Sequence, residues 1–316
     1  MMVADSEGST HAPPEAPAIE IDNLVVRYGP RRAVDGLNLR VPRGSVYGLL
    51  GANGAGKTST IKALMGFRAP SSGGARILGY DITHDRVEIN ARLGYVSETN
   101  SLYLGMTVTQ LCAYFRATAR HWNQSLVDRY LRLFGLTTNA RARRFSKGMR
   151  TQLALCLALG SEPDLLILDE PTTGLDPVAR RAFLNVLIGE VAAAGKTVFF
   201  SSHILSDVET VVDHVSILRA GRLLVADELA TLKQCHAVVH LLYAEPPSDE
   251  AAASLARVPG VMQLQREERS VRVRLSGDVT ASIATIRGLS PSPISVDTSY
   301  LSLDDIFLSY MQESQV

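Results

Sequence analysis

The sequence predicts an open, mostly parallel α/β sheet with an inserted helical subdomain, followed by a smaller α+β domain. Three observations carry this. An apolar run at 45–50 enters a glycine-rich turn that opens a helical pattern. Further apolar runs at 165–168 and 197–200 each lie beside a helical pattern, as in a layered α/β sheet. After about Val225 the order becomes strand, helix, strand, strand, helix, strand, compatible with a ferredoxin-like unit.

The elements follow in order along the chain. Residues 1–18, with Pro13, Pro14 and Pro17 among small polar residues, cannot repay their ordering entropy and read as a flexible tail. Alternation over 19–28 predicts the first strand of a main domain spanning 19–225. Within it, about 98–164 forms the helical subdomain. Thr107 with Gln110 and Ser125 with Asp128 fit capping boxes, and Gly135 and Gly160 fit helix stops. Residues 226–316 form the accessory domain, with strands at 238–243, 261–266, 271–275 and 294–298 and helices at 249–257 and 280–288.

At 316 residues the chain suits about two domains of roughly 150 residues. Its 46% hydrophobic content excludes a disordered or fibrous protein. Thirty-two basic and 32 acidic residues balance, so net charge gives no reason to expect a nucleic-acid partner. The balance is uneven along the chain: −3 over 1–18, +8 over 19–225 and −5 over 226–316. Cys112, Cys156 and Cys235 are too scattered for a disulfide framework or zinc site, and a reducing cytosol is expected. With no run of about 18 apolar residues and an acidic, proline-containing start, membrane work is expected to go through a partner.

Gly51-Ala52-Asn53-Gly54-Ala55-Gly56-Lys57-Thr58, followed by Ser59, is a full phosphate-loop match between strand and helix. Its glycines let consecutive N–H groups face phosphate oxygens at the positive end of the helix dipole. Lys57, expected to face a solvent-filled loop, neutralises the β and γ phosphates, and the Thr58 hydroxyl ligates Mg2+. The run at 165–168 ends in Asp169 and Glu170, where burying paired acids without a task would be costly. Asp169 is expected to hold the metal and Glu170 to polarise the attacking water.

Taken together, these motifs resemble the ATP-binding subunits of ABC transporters over 19–225, a P-loop NTPase fold of the ABC ATPase type. The resemblance makes Tyr28, in Val25-Val26-Arg27-Tyr28-Gly29, the platform on which adenine stacks. It makes Phe145-Ser146-Lys147-Gly148-Met149 the signature that touches the γ-phosphate held by the opposite subunit. Ser146 is also placed to cap the following helix. Thr173-Gly174-Leu175-Asp176 becomes the loop crossing the dimer interface, and His203 the switch histidine that keeps Glu170 and water in register.

Two departures stand out. Gly94-Tyr95-Val96-Ser97-Glu98 places Glu98 where the family usually has glutamine, adding a potential metal ligand and a negative charge. Lys147 and Met149 replace the Gly and Gln of the commonest signature. This Ser-Lys-Gly-Met form, with Leu303-Asp304-Asp305-Ile306-Phe307 near the end, resembles ATPase subunits of bacterial two-component exporters, drug-resistance types included.

The resemblance implies an ATPase that uses ATP and Mg2+, dimerises around two ATP, and drives an integral membrane permease from the cytoplasmic face. It implies no nucleic-acid partner. The competing class is a soluble ABC-type ATPase acting on ribosomes or DNA, whose usual second ATP-binding unit or long coiled coil this sequence lacks.

Overall fold

The structure, a computed structural model, describes residues 16–99 and 102–312, with backbone alone for 190–194 and 312. The tail expected at 1–18 lies outside the described residues as far as position 15. Its last residues belong to the fold: Arg43 Nε donates to the Ala16 carbonyl at 2.8 Å, and Ala18 is fully buried. Burying that methyl begins the packing before the first strand.

β1 (Ile19–Tyr28), β2 (Arg31–Val41), β4 (Ser72–Ile77) and β5 (Tyr80–Asp81) form an antiparallel sheet in the order β2-β1-β4-β5. Ile19 and Ile21, then Leu24 and Val26 of β1 are buried, period-two alternation on either side of a register shift between Ile21 and Leu24. The second sheet comprises β3 (Val46–Leu50), β6 (Leu93–Val96), β7 (Leu165–Asp169), β8 (Thr197–Ser202), β9 (His214–Arg219) and β10 (Arg222–Glu228). Its order is β10-β9-β3-β8-β7-β6, parallel except for β10. β3, β7 and β8 are buried along their whole lengths, which is why their central residues are apolar without alternation, with Asp169, Ser201 and Ser202 at the strand ends. Leu50 pairs with Ser202 and Asp169 with Ser201, so these three strands end level. Whatever follows them in sequence meets at one edge, the usual ligand edge of a parallel sheet.

α1 (Lys57–Leu64) and α2 (Arg86–Asn90) precede the helical insertion of α3 (Val108–Thr118), α4 (Gln124–Leu133), a 3-10 turn (Ala142–Arg144) and α5 (Lys147–Gly160). The capping box at Thr107 and Gln110 forms on both sides. The one expected at Ser125 does not. Asn123 caps α4 instead, accepting from Leu126 N at 3.0 Å, because its own N–H is anchored 2.8 Å from the Gly160 carbonyl. α5 does end at Gly160, with Ser161 as its C-cap, but Gly160 does not take the left-handed φ of a glycine stop. A side chain there would strike Trp122 and Val127 at 2.5–2.9 Å, so the glycine serves helix–helix approach.

β10 passes through Val225 to Glu228, placing the boundary expected at 225 inside a strand of the main sheet. α6 (Pro177–Ala194) and α7 (Leu205–Glu209) belong to the main domain, and α8 (Leu229–Gln234) adds Leu229 and Leu232 to its core. The accessory domain contains β11 (His236–Leu242), α9 (Asp249–Ala256), β12 (Val261–Glu267), β13 (Ser270–Ser276), α10 (Val279–Arg287) and β14 (Ser295–Tyr300). Its antiparallel sheet has the order β12-β13-β11-β14 over its own apolar cluster, which includes Val239, Val273 and Leu275. α11 (Leu303–Gln312) returns to the main domain: Leu303 and Ile306 join a core shared with Leu205 and Val208 of α7. Arg219 Nη1 donates to the carbonyls of Tyr310 at 2.9 Å and Met311 at 3.3 Å.

Candidate active site

The turn after β3 is shaped by contacts that exclude side chains. Gly56 has φ 112, and a Cβ there would lie 2.5 Å from the Ala33 carbonyl. Only glycine takes that conformation without strain. Gly56 is also the N-cap of α1 and supplies no capping side chain, so the first amides of the helix stay available to an anion.

Lys57 departs from the expectation that it faces solvent. It is 6% exposed, its Nζ donates to the Gly51 carbonyl at 2.6 Å, and it lies 3.1 Å from Glu170 Oε1. The Ala52 carbonyl is a longer acceptor at 3.4 Å. A buried ammonium must find acceptors, and Glu170 and the loop carbonyls provide them.

Thr58 Oγ1 donates to Asp169 Oδ1 at 3.1 Å, as does Ser201 Oγ at 2.8 Å. Burial pushes the Asp169 carboxyl above its usual range; the Ser201 and Thr58 hydrogen bonds oppose this, while the charges of Glu98 and Glu170 add to it. Glu170 has φ 48, a left-handed conformation that costs a non-glycine residue on the order of 1 kcal/mol or more. It is held there by its N–H bond to Ser201 Oγ at 3.0 Å and by His203 Nδ1, 2.7 Å from Glu170 Oε2. Thr173 Oγ1 also reaches Glu170 Oε2, at 3.3 Å.

These groups surround a cavity of about 610 Å³, lined by Asn53 to Ser59 with Tyr28, Glu98, Glu170 and His203 among others. Ala55 lines it beside Gly54, while Gly51 and Ala52 take part through the carbonyls that hold Lys57. A larger groove of about 1,070 Å³, between the β1 sheet and β9–β10, contains none of these groups.

The remaining residues singled out by sequence lie elsewhere. Ser146 Oγ caps α5, accepting from Met149 N at 3.1 Å, and Gly148 packs where a Cβ would be 2.9 Å from Leu175. Lys147 is exposed, its stem lying beside Gly174. Asp176 Oδ1 accepts from Val178 N and Ala179 N, both at 3.0 Å, at the start of α6. None of Ser146, Lys147, Gly148, Met149 and Asp176 lines the cavity. They form a second surface, made of the signature and the loop packed against it.

Sequence reasoning missed Ser201 and Arg31. Ser201 is completely buried and bonds to Asp169 and Glu170 together; a serine pair closing the buried strand after Phe199 and Phe200 was its signal. Arg31 lines the cavity, and no motif marks it.

An ABC transporter family profile matches residues 34–173. Over 302 residues the chain is 30% identical to the daunorubicin resistance ATP-binding protein DrrA3 of Streptomyces coeruleorubidus, covering 92% of this chain and 95% of that one. The chain belongs to the ATP-binding subunits of ABC transporters. This ABC ATPase subunit is also 38% identical over 208 residues to the bacitracin transport ATP-binding protein BcrA of Bacillus licheniformis, covering 65% and 68% of the two chains. Among solved structures, an ATP-binding subunit of an ABC transporter superposes with TM-score 0.63 at 30% identity, over 68% of this chain and 92% of the other. Among the described residues no helix is long and apolar enough to cross a membrane.

Proposed function

We propose that two copies of this ABC subunit close around two ATP molecules and drive export through a separate integral membrane permease at the cytoplasmic face of the membrane. One observation carries the two-copy reading. Lys57, Thr58, Glu170 and His203 line one cavity, with Asp169 behind Thr58 as its hydrogen-bond acceptor, while Ser146 to Met149 line none of it. Each copy therefore presents half of a site and the complement to another.

In this reading adenine stacks on Tyr28 and the phosphates take the amides of 51–59. Lys57 exchanges Glu170 and the loop carbonyls for phosphate oxygens. Glu170, freed of that pair, accepts a proton from water, and His203 holds its carboxylate in place through Oε2. The partner copy supplies Ser146, Lys147, Gly148 and Met149 toward the γ-phosphate, with Asp176 beside the interface.

The residues present fit Mg2+. Among the described residues no three His, Cys, Asp or Glu converge on a metal site, but Mg2+ characteristically takes one or two protein oxygens and completes its shell with phosphate and water. Thr58 and Asp169 would hold it, with Glu98 at the cavity wall, and their charges match a cation. When bound, the ion neutralises phosphate charge and steadies the leaving group. Glu98→Gln should shift the Mg2+ concentration for half-maximal hydrolysis. An unaltered titration curve would place Glu98 away from the metal.

Docking to a permease is supported by exposed aromatic surface on the helical subdomain. Tyr103 and Tyr114 stack edge-on at 5.2 Å with Leu104 beside them, all solvent-exposed in this chain. The tagged subunit, purified from detergent-solubilised membranes of its source cells, should retain a multi-span membrane protein in stoichiometric amount. Tyr103→Asp with Tyr114→Asp should release it. Recovery of the wild-type chain free of any membrane protein overturns the exporter reading.

A further inference from the structure

We propose that Arg68 is a positioning residue for the nucleobase, forming the back layer of a guanidinium–tyrosine–adenine stack. The inference rests on Tyr28 being the adenine platform. The Arg68 guanidinium carbon stands 4.7 Å over the centroid of the Tyr28 ring. Tyr28 lines the 610 Å³ cavity and Arg68 does not. The cation therefore covers the face of the ring turned away from the cavity, leaving the other face to the base.

Arg68 is fixed from two sides. Its Nη2 donates to the Arg27 carbonyl, so one guanidinium holds the backbone of one residue and the ring of the next. The loop after it is zipped to the same strand end: Arg27 N donates to Ser71 Oγ at 3.2 Å, and Ser71 N to the Val25 carbonyl at 2.7 Å. Arg68 N donates in turn to the Lys62 carbonyl at 3.1 Å, at the C-terminal end of α1. α1 begins at Lys57. The loop thus links the phosphate end of the site to its base end.

Two physical effects follow. Tyr28 is 42% exposed, and a ring held on one face loses less rotational freedom when a base lands on the other. A cation on the back face also draws down the ring's π-density, which favours stacking by an electron-rich purine on the front. Arg68 touches no phosphate group in this arrangement. Its contribution is confined to ligands that carry a base.

The test compares Mg2+-ATP with Mg2+-tripolyphosphate, which has the phosphates and no base, by titration calorimetry on the full chain. Arg68→Met keeps the stem and removes the charge; it should weaken ATP binding about two- to fivefold and leave tripolyphosphate binding unchanged. Arg68→Lys should recover part of the loss. In a Tyr28→Ala background, Arg68→Met should have no further effect. Unchanged ATP affinity in Arg68→Met overturns the proposal. So does an equal loss for tripolyphosphate, which would mark a tether supporting the whole loop, and so does full additivity with Tyr28→Ala. If Tyr28→Ala itself leaves ATP affinity unchanged, the adenine platform is misassigned and the Arg68 stack falls with it.

Discussion

Glu170→Gln should lower ATP hydrolysis by about 10²–10⁴-fold, the usual cost of losing a general base, while ATP binding survives. The substitution is nearly isosteric, and the groups that would bind phosphate and metal are untouched: Lys57, Thr58, Asp169 and the loop amides. The geometry adds a second expectation. Glu170 lies 3.1 Å from Lys57 Nζ and would compete with phosphate for that ammonium. Removing its charge should therefore tighten ATP binding. It also removes a negative charge from beside the γ-phosphate. The ATP-bound dimer should then form and persist, since opening follows hydrolysis. Size-exclusion chromatography with light scattering, in ATP and Mg2+, should show more dimer for Glu170→Gln than for wild type. Adding Ser146→Arg should return it to monomer by steric block at the signature surface. Near-normal turnover in Glu170→Gln removes the base role. A strictly monomeric mutant at saturating ATP removes the assigned role of the signature.

Lys57→Ala should weaken ATP binding about 10- to 150-fold, the equivalent of one charge-assisted hydrogen bond of about 1.5–3 kcal/mol, and turnover should fall with it. The fold is not indifferent to this change. Lys57 is 6% exposed and Glu170 8%, so the variant leaves a buried carboxylate without its ammonium. His203 and Thr173 remain to satisfy Glu170 Oε2, which limits the damage relative to a fully orphaned charge, where losses reach about 3–5 kcal/mol. Lys57→Ala should accordingly unfold at lower denaturant than wild type. The double variant Lys57→Ala with Glu170→Gln should regain stability and regain no ATP affinity. Unchanged nucleotide affinity in a folded Lys57→Ala subunit contradicts the phosphate-loop assignment. Recovery of affinity in the double variant contradicts the role given to Lys57 at the phosphates.

What the sequence determined by itself is the chemistry carried by contiguous residues. A phosphate-loop motif lies in consecutive residues, so 51–59 stand out in one reading, and Asn53 to Ser59 line the cavity. Asp169 and Glu170 stand out for a similar reason, two acids closing an apolar strand, and the fold places them beside Thr58 and Lys57. The Thr107 capping box, likewise spanning four residues, was legible and forms. Tertiary structure decided whatever depends on residues far apart in the chain. The start of α4 was set by Gly160, 37 positions from Asn123, and so overrode the local signal at Ser125. Gly160 ends α5 as its sequence position suggests, but the close approach of Trp122 and Val127 that requires a glycine there is visible only in the fold. The main sheet carries β10 past Val225, and α11 returns to cover α7, because apolar side chains such as Ile306 bury best against a core formed a hundred residues earlier. The same holds within the site. Lys57 turns inward because Glu170, brought beside it by the β3–β8–β7 register, is an acceptor that no local reading of the loop reveals. Ser201 gains its place from the same register, and Arg68 from a loop zipped to the end of β1. Short-range hydrogen bonding and charge are written in adjacent letters; burial and pairing are set only when distant segments close on each other.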